Sequence, residues 1–161
     1  MNRLLHIALL SLMLATFLAS CGDDSCYDNG SSLPLATFYL GGNQQQVSGM
    51  TIMGMGAPGD SLLADSSTLK EIYLPLRASV GSTSFAITRW IAVGAAVRDT
   101  LTFSYDAVPF FHSSECGAMY NFNIKQLDYT HHGIDSIVML KTTITNDKSP
   151  SLRIYLTSLQ P

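Results

Sequence analysis

The sequence has little charge, few cysteines and one tryptophan, and each scarcity narrows the possible functions. Only 13% of the 161 residues are charged, and the formal net charge is −3. From Ser31 onward, 8 basic and 9 acidic residues nearly cancel and form no basic run, which argues against nucleic-acid binding through counterion release. Trp90 is the single tryptophan, so there are few indole faces for stacking on sugars.

The N-terminus carries one basic residue, Arg3, followed by an apolar run over Leu4–Leu18. That run suits a signal peptide and is short for a membrane span of about 20 residues. Its end, Leu-Ala-Ser-Cys at 18–21, resembles the bacterial lipobox, whose cysteine takes a diacylglycerol and becomes the new N-terminus. We therefore predict a lipoprotein signal peptide over 1–20 and lipidation of Cys21, which anchors the chain without spanning the membrane. A plain signal peptide with a chance cysteine is the alternative.

Residues 21–32 are short, polar and rich in Gly, Ser, Asp and Asn, which predicts a flexible tether. Asp23 and Asp24 resemble the acidic export signal of surface lipoproteins in Bacteroides-type bacteria. We expect a lipid-anchored protein of the bacterial outer membrane, exposed on the cell surface rather than facing the periplasm. Solvated tether acids without a sorting role are the alternative.

Two cysteines remain after Cys21, namely Cys26 and Cys116. Outside the cytoplasm they can persist as a disulfide, and a loop this long gives about 4–5 kcal/mol in the chain-entropy model. We predict this bridge between the tether and the segment "FHSSECG". Two unpaired thiols, or an intermolecular bond through Cys26, are the alternatives.

Apolar residues alternate with polar ones along residues 33–161, as in Leu101, Phe103 and Tyr105. Such period-two patterns favour half-buried strands. We predict one all-β domain, an antiparallel β-sandwich of eight or nine strands with an immunoglobulin-like order. A short helical turn is expected within Ser61–Ser67. Turns are expected at residues 41–43, 57–60, 80–81, 98–99, 132–133 and 146–147.

The stretch "GMGAPGDSLLAD", Gly54 to Asp65, contains two motifs associated with chemistry. Its GxGxxG lacks a following helix and a later acid for the ribose, so we reject dinucleotide binding. Its GDSL resembles the nucleophile block of a family of esterases, and Asp128 to His131 resembles the DxxH block of the same family. Ser61, His131 and Asp128 are thus a possible triad. The helix-rich fold, greater length and oxyanion block of that family have no match here, which favours a turn between strands.

Histidine, carboxylate and hydroxyl groups suggest two other kinds of site. His112, Glu115 and either His131 or His132 are the candidates for a metal site, although loop polarity is the preferred explanation. Three triplets of the form Asp, then Ser or Thr, then an aliphatic residue resemble the O-glycosylation acceptor of exported Bacteroides-type proteins. The acceptor hydroxyls belong to Ser61, Thr100 and Ser136, and ordinary turn chemistry is the alternative.

The segments "GDSLL", "LPL", "DTLTFSY", "SSECG" and "GIDSI", in this order behind a lipobox, resemble an uncharacterised family of Bacteroides-type envelope lipoproteins. The resemblance implies a cell-envelope lipoprotein and no known activity. We expect a non-enzymatic binding or structural module without a cofactor, whose partner is an envelope protein or a glycan. A small serine esterase and a metal- or carbohydrate-binding module are the alternatives.

Overall fold

The computed structural model describes residues 32–56, 60–113 and 117–158, which form eleven β-strands and no helix. Eight strands have five or more residues, and the other three are short. The predicted all-β sandwich is confirmed. The strands are β1 Leu35–Leu40, β2 Asn43–Gln44, β3 Val47–Met55, β4 Leu62–Leu69, β5 Glu71–Tyr73, β6 Ser82–Ala92, β7 Ala95–Ser113, β8 Gly117–Tyr129, β9 Ile134–Met139, β10 Thr143–Ile144 and β11 Leu152–Leu156.

The strands are arranged in two sheets. The β1 sheet has the order β2-β1-β11-β9, with β5 also paired to β1, and the β7 sheet has the order β10-β8-β7-β6-β3-β4. The pairings of the described strands are antiparallel with one exception, since β1 and β11 run parallel with Ala36 opposite Leu152. The first and last strands are therefore neighbours within one sheet.

The hydrophobic core lies between the sheets and follows the alternation of the sequence. Leu101, Phe103 and Tyr105 on β7 are at most 2% exposed, and the hydroxyl-bearing residues between them lie on the opposite face. From the β1 sheet, Leu152 and Ile154 are fully buried in the same cluster. Burial of alternate apolar side chains removes them from water and holds the two sheets together.

Two local expectations are wrong. Arg98-Asp99 lies within β7, because the preceding turn is at Val93-Gly94, where Gly94 adopts a φ of +78°. The helical turn expected within Ser61–Ser67 is replaced by β4, whose pairing with β3 overrides the weak helical preference. The other predicted turns with described residues lie between strands, as in the two-residue Gly41-Gly42 hairpin.

The sandwich has two distinct ends. The Ser32 end carries the first described residue, the start of β1 and the tip of the β7–β8 hairpin, and Ser32 Oγ donates a hydrogen bond to Asn121 Oδ1 on β8 at 2.9 Å. The Trp90 end carries the end of β1, the beginning of β3 and the β6–β7 hairpin.

Candidate functional site

The segment from Gly54 to Asp65 connects two antiparallel strands, as the turn interpretation predicted. β3 ends at Met55, β4 begins at Leu62, and the described residues between them are Gly56, Asp60 and Ser61. Asp60 accepts a hydrogen bond from the Gly56 N–H at 3.0 Å, and the Ser61 carbonyl accepts one from the Gly54 N–H at 2.7 Å. The backbone groups of this motif are thus used to close a hairpin, and a strand follows it instead of the helix that a dinucleotide loop needs.

The three residues of the possible esterase triad do not come together. Ser61 lies beside β3 at one side of the β7 sheet, whereas Asp128 lies on β8 towards the other side. Four strand-to-strand steps separate them, which at about 4.8 Å per step is about 19 Å along the sheet. A serine nucleophile needs its base within hydrogen-bond reach. Three of these steps are the residue pairs Asp128–Thr102, Thr102–Ser84 and Ser84–Met55. The fourth step leads from Gly54, next to Met55, to Ser61, whose carbonyl accepts the Gly54 N–H.

Asp128 and His131 also have other neighbours. Both carboxylate oxygens of Asp128 accept hydrogen bonds from Gln126 Nε2, at 2.8 and 2.9 Å. The His131 ring lies against the Tyr129 ring with a centroid separation of 4.6 Å. This arrangement gives Ser61 neither a general base nor an orienting acid.

Several predicted sites fall outside the described residues. Cys21 and both cysteines of the expected disulfide, Cys26 and Cys116, belong to this group, as does Glu115. His112 is described by its backbone alone, and His131 is exposed. Within the described ranges, no group of three His, Cys, Asp or Glu residues could hold a metal ion.

The three O-glycosylation candidates differ in their surroundings. Ser61 is exposed directly before β4, and Ser136 is half-buried near the start of β9. Thr100 lies within β7, and the buried Asp99 precedes it. Only Ser61 occupies the exposed turn-to-strand junction expected for all three.

The Trp90 end contains a cleft of about 290 Å³. One wall comes from β6, where Trp90 is 48% exposed, and the facing residues come from the chain entering β3. Gly49 lets the strands approach closely, because a Cβ there would lie 2.7 Å from the Trp90 carbonyl oxygen. The cleft is lined by Leu40, Gln46, Val47, Ser48, Arg89, Trp90, Ile91 and Ser158.

Arg89 lines this cleft and is the most unusual residue in it, being only 7% exposed. Its Nη2 donates a hydrogen bond to the Thr157 carbonyl at 2.6 Å, and its buried Nε has no acceptor among the described residues. Burial lowers the pKa of Arg89, and the negative charge of Asp99 opposes that shift. Arg89 is therefore a buried cation that carries one enclosed N–H without an acceptor among the described residues.

Asp99 ties the loop between β8 and β9 to β7. Its Oδ1 accepts hydrogen bonds from Thr130 Oγ1 and the His132 N–H, both at 2.7 Å. Its Oδ2 accepts the N–H groups of Gly133 at 2.7 Å and Ile134 at 3.0 Å. Burial by itself raises the pKa of Asp99, but the four hydrogen bonds together outweigh it and lower that pKa. The carboxylate is therefore a structural anchor whose lone pairs are used.

The chemistry available at the cleft is recognition. It combines the half-exposed indole of Trp90 with the exposed polar side chains of Gln46 and Ser48, while the side chain of Arg89, one residue earlier on β6, lies on the buried face of the strand. Sequence reasoning missed this site. The alternation that places Phe85 and Ile87 inward continues to Arg89, so it predicts a charged side chain directed into the core. That unusual position is the signal in the sequence that could have indicated this site.

The fold and this site define a β-sandwich protein with a surface cleft. The family model for a family of unknown function, DUF6452, matches residues 49–156, from β3 to the end of β11, and the chain belongs to that family. Membership in an uncharacterised family is thereby confirmed. No curated protein and no solved structure matches the chain. In the described ranges, no helix has the length and hydrophobicity of a membrane span.

Proposed function

We propose that this protein is a lipid-anchored lipoprotein of the bacterial outer membrane that acts as a non-enzymatic binding module. The lipobox ending in Cys21 supports the anchor, and the acids at 23 and 24 support exposure on the cell surface of a Bacteroides-type bacterium. The wide separation of Ser61 from Asp128 and His131 favours binding over ester hydrolysis.

The observation that carries the proposal is the position of the cleft relative to the tether. The described chain begins at Ser32, at the start of β1, whereas the cleft is lined by Leu40 at the end of β1. A protein anchored through the residues before Ser32 holds its cleft away from the membrane, where a ligand can reach it.

An acidic glycan is the ligand that fits the cleft best. A sugar ring stacks on an indole through its apolar face, and Trp90 offers a half-exposed indole. Gln46, Ser48 and Ser158 supply polar groups for sugar hydroxyls, and the positive charge of Arg89, buried at the cleft, favours a sugar that carries a carboxylate. An envelope protein is the competing partner, and the following titration distinguishes the two.

The test uses the fluorescence of Trp90, which is the only tryptophan in the chain. The protein is titrated with a galacturonate oligosaccharide and with a neutral galactose oligosaccharide. We expect saturable quenching by the acidic sugar and, in Gln46→Ala, at least about tenfold weaker binding, which corresponds to about 1.4 kcal/mol. Gln44→Ala is the matched control, because Gln44 is exposed on β2 and does not line the cleft. An unchanged spectrum with the acidic sugar would contradict the glycan proposal.

The anchor and the disulfide are tested by mass spectrometry of the processed chain. We expect a diacylglyceryl mass on Cys21 that is lost in Cys21→Ala, and a Cys26–Cys116 peptide two hydrogens lighter than its reduced form. The length of the tether supports the bridge. Ser32 is hydrogen-bonded to Asn121, which follows Cys116 by five residues, and the six residues from Cys26 to Ser32 span at most about 22 Å. An unlipidated cysteine at position 21 would refute the anchor.

The O-glycosylation proposal rests mainly on Ser61, whose exposure before β4 gives an enzyme access. Ser136 and Thr100 are the remaining candidates, and the burial of Asp99 makes Thr100 the least accessible. A glycan mass that disappears in Ser61→Ala would support this modification, and an unmodified peptide from the native source would contradict it.

A further inference from the structure

The β7–β8 hairpin extends beyond the sheet to which it belongs. The pairing of β6 with β7 ends at Ser82–Ser104, and β10 pairs with β8 only at Phe122 and Asn123. Beyond these positions the two strands continue to pair with each other as far as Ser113–Gly117. We call this extension, residues 106–113 and 117–121, the arm.

The arm carries the apolar face of the core past the point where the sandwich covers it. Tyr105 is 2% exposed and Ala107 is half-buried, but Phe111, on the same face, is 73% exposed. On the paired strand Phe122 is buried, whereas Tyr120 is 41% exposed. The face therefore ends in aromatic side chains that the described residues leave open to solvent.

The arm has almost no charge. Asp106 lies at its base and forms an ion pair with Lys125 at 2.7 Å, and residues 107–113 and 117–121 contain no Asp, Glu, Lys or Arg. Glu115, which lies between the two strands in the sequence and outside the described residues, is the one acid among residues 107–121. Uncharged aromatic tips of this kind suit the boundary between lipid headgroups and acyl chains, where amphipathic rings are favoured.

The tether indicates what covers this surface. The arm lies at the Ser32 end, where Ser32 is hydrogen-bonded to Asn121 on the arm itself. Cys21 precedes Ser32 by eleven residues, so a lipid on Cys21 keeps this end within about 40 Å of the bilayer. A Cys26–Cys116 bridge would reduce the reach between the lipid and the arm tip to five residues, or at most about 18 Å.

We propose that the arm is a second membrane contact, inserting Phe111 and its neighbours into the lipid leaflet that holds the anchor. This inference rests on the proposed lipidation of Cys21. The tether is a poor alternative cover, because "GDDSCYDNGSS" offers a single aromatic residue, Tyr27. Two attachment points would fix the orientation of the sandwich, with the cleft directed away from the lipid.

The experiment uses the full-length chain, lipidated in cells and reconstituted into phosphatidylethanolamine–phosphatidylglycerol vesicles with or without brominated acyl chains. An indole is placed at the arm tip by Phe111→Trp in a Trp90→Phe background, and the same background with Val93→Trp provides the control. Val93 is fully exposed in the β6–β7 hairpin at the opposite end. Circular dichroism checks that each variant is folded.

We expect brominated lipid to quench the indole at position 111 by at least about twofold, since insertion to about 5–10 Å brings it near the acyl chains. The indoles at position 93 and at the native Trp90 should be unaffected. Blue-shifted emission at position 111 without quenching would mean that the tether or a second copy covers the arm, and it would overturn the proposal. Absence of quenching in a chain with lipidated Cys21 overturns the membrane contact alone, whereas an unlipidated Cys21 overturns the anchor as well.

Discussion

Replacing Asp99 by asparagine removes acceptors that buried N–H groups need. Each carboxylate oxygen of Asp99 accepts two hydrogen bonds, and an amide keeps only one oxygen. Whichever way the amide turns, two donors lose their acceptor, for example the N–H groups of the buried Gly133 and Ile134. An unsatisfied buried donor costs about 1–3 kcal/mol, so Asp99→Asn should lower the free energy of unfolding by about 2–4 kcal/mol.

The loss should depend on pH in a defined direction. The pKa of Asp99 is lower in the folded protein than its ordinary value, because the four hydrogen bonds outweigh the effect of burial. Its contribution to stability is therefore complete above the unfolded pKa of about 3.9, and it disappears as the pH falls through the folded pKa. The stability difference between native Asp99 and Asp99→Asn should shrink in acid.

Urea denaturation followed by Trp90 fluorescence, at pH 7 and at pH values below about 4, measures both effects. The control is Asp135→Asn, since Asp135 is exposed and accepts one described hydrogen bond, from Ser136 Oγ at 3.4 Å. We expect the control to change stability by less than about 0.5 kcal/mol. A similarly small loss for Asp99→Asn at neutral pH, or a loss that does not fall in acid, would refute the role assigned to Asp99.

Two destabilising substitutions, one control substitution and one chemical probe test the fold and the serine further. Gly49→Ala should destabilise the protein by more than about 1 kcal/mol, because φ is +69° and the new Cβ would meet the Trp90 carbonyl. Gly94→Ala, with φ of +78° but no atom within 4 Å, isolates the conformational part, and equal losses would contradict the contact. Phe103→Ala, at a fully buried position, should cost about 3–5 kcal/mol in urea denaturation, and a loss below about 1 kcal/mol would contradict the core assignment. A fluorophosphonate probe should give no adduct by intact mass, and an adduct lost in Ser61→Ala would revive the hydrolase.

The alternation of the sequence predicted the core more successfully than any motif predicted a site. Leu101, Phe103 and Tyr105 are buried on one face as expected, because a strand between two layers must present its apolar side chains inward. Tyr120 alternates with polar residues in the same way but is exposed, because the arm extends beyond the end of the opposite sheet. Periodicity indicates the direction of a side chain and does not indicate whether another layer covers it.

Strand order and the buried polar residues could not be obtained in this way. Period two does not say which strands are neighbours, so the parallel pairing of β1 with β11 was not predicted. In the sequence, Arg98-Asp99 resembles a turn, since two adjacent charged residues are typical of exposed loops. The structure buries Asp99 because a loop beginning at Thr130, far away in the sequence, supplies the donors for its carboxylate. The cleft at Trp90 likewise combines side chains from distant parts of the sequence.

The parallel pairing of β1 with β11 means that the β1 sheet cannot be completed until the last strand of the sandwich, β11, is present. Thr37 and Leu152, bonded across these strands, are separated by 115 residues. Contacts of such long range form slowly, because a large loop must close before they contribute. A nascent or exported chain therefore holds β1 without β11 until residues 152–156 arrive, and the edge of β1 that β11 covers is open to other strands during that interval.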